Sequence, residues 1–324
     1  MFKPELWQSH SEYQTMVALY GCRLSRNKSK YSFTSYEKER RKLSSLNLDT
    51  VAEYIPQYYS KTGRPAKNQA QILRSLILFV LLFHKTPAKT SLTAWVRDTL
   101  PNSISFTILV GCSSPDELPP LGSYYDFMNR FWLASRDIYS RNRLFPSGKN
   151  GKKPDKVIGD DGKLVEMDDT SVSTKHIVQN IMNGLPASDN PEAPLQEIFY
   201  FLAVMPSMKL GLIDPSSLTL SGDGTAVVSH SSCFGKHLPS CNRDSRFRGS
   251  CGRHYSDPDA GWGWDSGKKA WYFGHTLYML CCRNNQLKTE LPILIKFTET
   301  RRHDSKSFLY TMSCLWSYSP KYLS

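Results

Sequence analysis

Residues 218–229 read LTLSGDGTAVVS, and the reading of the fold turns on them. A β-prone run of Leu, Thr and Val is interrupted once, by Gly222-Asp223-Gly224, so a strand carries one carboxylate between two glycines. A strand that ends by presenting an acid suits a core that holds divalent metal for phosphoryl transfer, because Mg²⁺ takes oxygen ligands. The competing reading is a glycine-flanked turn with a hydrated Asp223. The rest of the chain has to decide between them.

Downstream, an irregular insertion at about 230–270 leads to a second apolar run, residues 271–282 (WYFGHTLYMLCC), and a third, residues 291–298 (LPILIKFT). Arg283-Asn284-Asn285-Gln286 supplies turn residues, which predicts an antiparallel hairpin. Residues 300–316 (TRRHDSKSFLYTMSCLW) fit a helix capped near Asp304. Three strands followed by a helix, with an acid on the first strand, are the opening half of a ribonuclease-H-like α/β domain. His275 sits alone on the second run. A single strand histidine is more often a structural hydrogen-bonding group than a catalytic one, so it is read as supporting the Asp223 strand.

Upstream the period is helical. Ile72, Leu73, Leu76, Ile77, Val80 and Leu81 recur at helical spacing after Gly63-Arg64-Pro65. A second helix starts at Ser91, and a third from Ser123 carries Phe127, Phe131 and Trp132. The basic stretch YEKERRK (36–42) reads as an exposed helix whose charges face water. A further helical run at 195–210 breaks near Pro206. The expected fold class is therefore α+β: an N-terminal all-α domain (1–145), a polar linker (146–194), and an incomplete ribonuclease-H-like α/β domain (195–324). Asp160, Asp161, Asp168 and Asp169 lie in the Gly- and Lys-rich linker and read as turn residues.

The 324 residues carry a formal charge of +12, which favours a polyanionic partner. The most apolar run, residues 72–83, is too short for a bilayer span and contains Arg74. The N-terminus lacks the apolar core of a signal peptide, so a cytoplasmic setting with reduced thiols is expected.

Two constellations occupy the insertion. Cys233, His237, Cys241, Cys251 and His254 follow the spacing C-x3-H-x3-C-x9-C-x2-H. That offers enough ligands for zinc, although the spacing is not a familiar one; reduced cysteines in a polar loop are the other reading. Between residues 236 and 269 there are seven Lys or Arg against four Asp, interleaved with Phe247, Tyr255, Trp262 and Trp264. Arg243, Arg246, Arg248, Arg253, Lys268 and Lys269 are the candidate phosphate contacts, with the aromatics available to stack on distorted bases. Alternatively, the tryptophans pack the loop onto the sheet.

The ordered series resembles the DDE transposases of bacterial insertion sequences, the cut-and-paste group with a ribonuclease-H-like core. The matching features are Asp223 in SGDGT, Gly274-His275 in YFGHTLY, and LPILIKFTET running into Arg302-His303-Asp304-Ser305. The helical region after Gly63-Arg64-Pro65 matches that group's N-terminal domain. The resemblance implies binding to element ends and target DNA, self-association on DNA, nucleoid association in a bacterial cytoplasm, and strand cleavage and transfer with Mg²⁺ or Mn²⁺. Asp223 corresponds to the first acid of the triad. The second Asp and the Glu have no counterpart: Asp304 matches the helix-start position, and Glu290 and Glu299 flank a strand and are expected to face solvent. The expectation is a truncated, catalytically incomplete copy. A non-catalytic DNA-binding module, able to interfere with a full-length enzyme, and a zinc-stabilised binding protein are the alternatives.

Overall fold

A computed structural model describes residues 1–26, 30–83, 91–131, 156–158, 164–166, 174–184, 193–237, 252–298, 300 and 304–317. The chain divides into two compact units. Met1–Trp132 with Glu197–Met205 forms one, and Leu133–Gln196 with Pro206–Ser324 forms the other.

The first unit is helical. Its main helices are α1 (His10–Arg26), α2 (Lys30–Ser44), α3 (Asp49–Tyr54), α4 (Gln69–Phe83), α5 (Leu92–Ala94), α6 (Ile104–Val110) and α7 (Leu121–Phe131). The longer ones bury residues at helical spacing, such as Tyr13, Val17 and Gly21 on α1 and Tyr124, Phe127 and Phe131 on α7. The ends are held by side chains. Asp49 accepts the His10 amide at 3.0 Å and the Trp7 indole at 3.2 Å, and Ser91 caps α5 by accepting the Ala94 amide at 3.1 Å.

Helix α4 differs from its expected face. Ile72, Leu73, Ser75 and Leu78 are buried, whereas Val80 is exposed. Arg74 is also buried, stacked over the Tyr13 ring at 3.9 Å and bonded to the Gln8 side-chain carbonyl. Burial lowers its pKa to about 10, because removing the guanidinium from water penalises the charged form. Ser75 accepts the Trp95 indole at 3.0 Å. Arg74 and Ser75 enter this core with partners there, and hydrophobic periodicity cannot report such a partner.

Helix α2 does carry the basic stretch, with its charges paired locally. Glu37 accepts from Arg40 and Arg41 at 2.7 and 3.0 Å, while Tyr36 turns inward and donates to the Val17 carbonyl at 2.7 Å. Segment 197–205 belongs with this helical unit rather than with the sheet, its Phe201 ring standing 5.4 Å from that of Tyr54. It comprises the end of α9 (Ala193–Phe199) and a π turn, Tyr200–Val204, before α10 (Met205–Lys209). The widened turn precedes Pro206, whose missing amide cannot continue the α ladder.

In the second unit, the 146–194 stretch contains more structure than a bare linker: strands β1 (Lys156–Ile158) and β2 (Leu164–Glu166) pair antiparallel, and α8 (Thr174–Met182) follows. The linker aspartates lie outside the described residues.

The principal sheet has four strands. These are β3 (Leu220–Val228), β6 (Gly261–Asp265), β7 (Ala270–Asn284) and β8 (Thr289–Thr298), all antiparallel. A short ladder of β4 (Lys236–His237) and β5 (Arg253–His254) lies in the insertion. Both β3 and β8 pair with the Thr276–Cys282 part of β7 and therefore flank it on opposite edges, so β7 is the central strand. β6 pairs with its N-terminal end. The expected hairpin is present as β7 and β8, with the turn at Asn285–Lys288.

Alternation along β7 separates two faces. Thr276, Tyr278, Leu280 and Cys282 are buried beneath helix α11 (Asp304–Ser317), which contributes Ser307, Tyr310, Thr311 and Leu315. His275, Leu277, Met279 and Cys281 line the other, half-open face. The outer edge of β8 is occupied by a side chain: Gln196 donates to the Ile293 carbonyl and accepts the Ile295 amide at 3.0 Å, imitating a neighbouring strand. Among the described residues, no helix is long and apolar enough to cross a membrane.

Candidate nucleic-acid interface

Asp223 stands within β3, opposite Met279, with five more strand residues after it. It is not in a turn, and it does not end its strand. Its side chain is exposed, and one carboxylate oxygen accepts the Gly224 amide at 2.8 Å. The flanking glycines have a packing role. A Cβ on Gly222 would collide with the Tyr278 phenol, and one on Gly224 would come within 2.9 Å of Thr276 Cγ2 and 3.0 Å of Asp304 Oδ1. These glycines let Tyr278 and the start of α11 lie flat against β3, and alternation then turns Asp223 to the opposite, open face. Burial raises the Tyr278 pKa, and the nearby negative charges of Asp304 and Asp223 add to the rise. Asp304 begins α11, as the expected helix start requires.

A two-ion site needs several carboxylates on separate elements. No three His, Cys, Asp or Glu residues converge as a metal-binding group among the described residues. Asp223 alone supplies one ligand, which is not enough for a two-metal centre, and no metal-dependent step is derived from it. The zinc candidates stand similarly. His237 pairs with Arg253 and His254 with Lys236 across the β4–β5 ladder, and Cys233 is a free thiol nearby in sequence. Cys241 and Cys251 lie outside the described residues.

His275 shares the open face with Asp223 but is paired elsewhere. Its ring Nε2 is 3.0 Å from Asp257 Oδ2, and the same oxygen accepts the Ser229 hydroxyl at 2.6 Å. Asp257 is thus a clasp that ties the insertion to β3 and β7. Burial would raise its pKa, yet the hydrogen bonds from His275 and Ser229 outweigh burial and hold it at about 2. Register places His275 opposite Val227, four residues along from Asp223, roughly 14 Å at the usual strand rise. Support of the Asp223 carboxylate by direct contact is therefore ruled out. Sequence reading passed over Asp257, because nothing local marks a carboxylate 18 residues from its imidazole.

The basic candidates separate into three groups. Arg253 is buried, 1% exposed, and donates to the Phe234 carbonyl at 2.7 Å. It braces the insertion and is withdrawn from any phosphate. Lys268 and Lys269 stand exposed on the turn between β6 and β7, Lys268 lying 3.2 Å from Asp265. Arg243, Arg246 and Arg248 lie outside the described residues.

The tryptophans also diverge. Trp262 packs on Phe273 at 5.7 Å, as the loop-packing reading expected. Trp264 faces Trp271 directly across the hairpin, rings edge to face at 5.5 Å, with 51% and 66% of their surfaces exposed. Both belong to the same sheet face as His275 and Asp223. Phe297, 45% exposed, lies edge to face with His275 on that face too. The open face thus runs from an aromatic, lysine-bearing tip towards an exposed carboxylate. No protein-family model, curated protein or solved structure matches the chain.

Proposed function

We propose that this chain is a DNA-binding protein of DDE-transposase lineage, acting on the ends of a mobile element. The observation that carries the reading is the position of Asp223. It is an exposed acid on the first of three antiparallel strands in the spatial order β3–β7–β8, with α11 following on the opposite face. That order and that acid support reading this unit as the opening half of a ribonuclease-H-like core with β6 as an added strand, a reading that the motif series SGDGT, YFGHTLY and LPILIKFTET suggests. The charge of +12 supports a polyanionic partner. In DDE transposases such a core would cleave and transfer strands with divalent metal; here DNA binding is the part of that activity the residues support.

Fluorescence anisotropy of the full chain on duplex DNA tests this, with salt raised from about 50 to about 200 mM. Affinity is expected to fall steeply and linearly on logarithmic axes, as phosphate neutralisation requires. Absence of any salt-dependent binding sinks the reading.

A further inference from the structure

The turn between β6 and β7 brings three unusual features together. First, two large aromatic rings project into solvent where apolar side chains normally withdraw. Their edge-to-face contact stiffens the hairpin yet leaves much of each ring open. Second, Lys268 and Lys269 sit on the four-residue turn beside them, with Lys269 held at φ +50°. Both lysines are exposed there, with Lys268 pairing with Asp265 at 3.2 Å. Third, the exposed pair rests on a packed base along the same sheet face, where Trp262 meets the buried Phe273, with His275 and the half-exposed Phe297 beyond.

Flat aromatic faces edged by cations match an unpaired nucleotide strand, whose bases offer π-faces and whose phosphates lie alongside. Duplex DNA presents its phosphates outward and keeps its bases stacked internally, so it has no use for exposed indoles. Along β7, Trp271 lies eight residues from Met279, the cross-strand partner of Asp223, about 27 Å at the usual strand rise. The tip and the acid can therefore contact the same strand several nucleotides apart.

We propose that the Trp264–Trp271 tip, with Lys268 and Lys269, is a stacking platform for unpaired bases of a DNA strand opened near the bound element end. The proposal rests on the DNA-binding reading and specifies which form of DNA this surface takes.

The test compares oligothymidylate with duplex DNA as probes at matched salt, using the full chain. Trp264→Ala with Trp271→Ala is expected to weaken oligothymidylate binding on the order of tenfold or more, with duplex affinity held within about twofold. The Trp264→Phe, Trp271→Phe variant, which keeps the hairpin aromatic, is expected to recover part of the loss. Lys268→Gln with Lys269→Asn should weaken both probes and lower the salt slope by about two. In the wild type, oligothymidylate is expected to shield tryptophan fluorescence from acrylamide, a readout that a purely structural indole pair would not give. Should the alanine variant misfold, the phenylalanine variant and the quenching experiment decide. Unchanged oligothymidylate affinity in a folded alanine variant, or no shielding while duplex binding persists, overturns the platform. Loss of binding to both probes by the wild type overturns the DNA reading itself.

Discussion

Asp257 ties the insertion to two strands of the sheet. It joins Ser229 at the end of β3 to His275 on β7 through one carboxylate oxygen. Its folded pKa of about 2 lies below the ordinary 3.8, so the ionised form stabilises the fold in full above that ordinary value. The contribution is lost as the pH falls from about 4 through about 2. Asp257→Asn is expected to cost on the order of 2 kcal/mol at neutral pH, the free-energy equivalent of the shift. It should also flatten the acid limb of the stability profile, measured by urea unfolding at stepped pH. An unchanged acid limb would show that the clasp contributes nothing.

At the scale of elements, the β3–β7 pair owes its closeness to glycine. A Cβ on Gly274 would run into the Val227 carbonyl oxygen and come within 2.7 Å of the Ser229 amide. Both are backbone atoms, so no rotamer relieves the clash. Gly274→Ala is expected to destabilise the sheet unit by about 1–3 kcal/mol or more, as overpacking does elsewhere. Gly122→Ala on α7, where nothing lies within 4 Å of the new methyl, should be neutral or slightly stabilising in the same melt. Equal effects at the two positions would mean that the strands separate freely. The motif Gly274-His275 was legible as a strand feature, but its reason is a backbone approach rather than chemistry at His275.

For the whole molecule, the excess of Lys and Arg over Asp and Glu favours a polyanionic partner, and the proposed DNA binding rests on those cations rather than on metal. Chelation with EDTA, and the Asp223→Asn substitution, are each expected to leave duplex affinity and its salt slope unchanged, because lysine and arginine neutralise the phosphates. A large loss of affinity on chelation would instead point to a metal-held interface.

Legible in the order of residues alone were a helical region ahead of a strand-rich one, strands within 218–229, 271–282 and 291–298, and a helix start near Asp304. These are local matters of period, turn residues and caps, written within a few residues of where they act. The folded chain alone shows that β7 is central, that Asp223 lies within its strand and faces away from α11, that Arg253 is buried while Lys268 and Lys269 are not, and that Trp264 is exposed where Trp262 is packed. Each depends on which backbone lies across the sheet from a residue. Between β3 and β7 that pairing joins positions tens of residues apart, and even in the short β6–β7 hairpin no local pattern of side chains encodes which ring stays exposed.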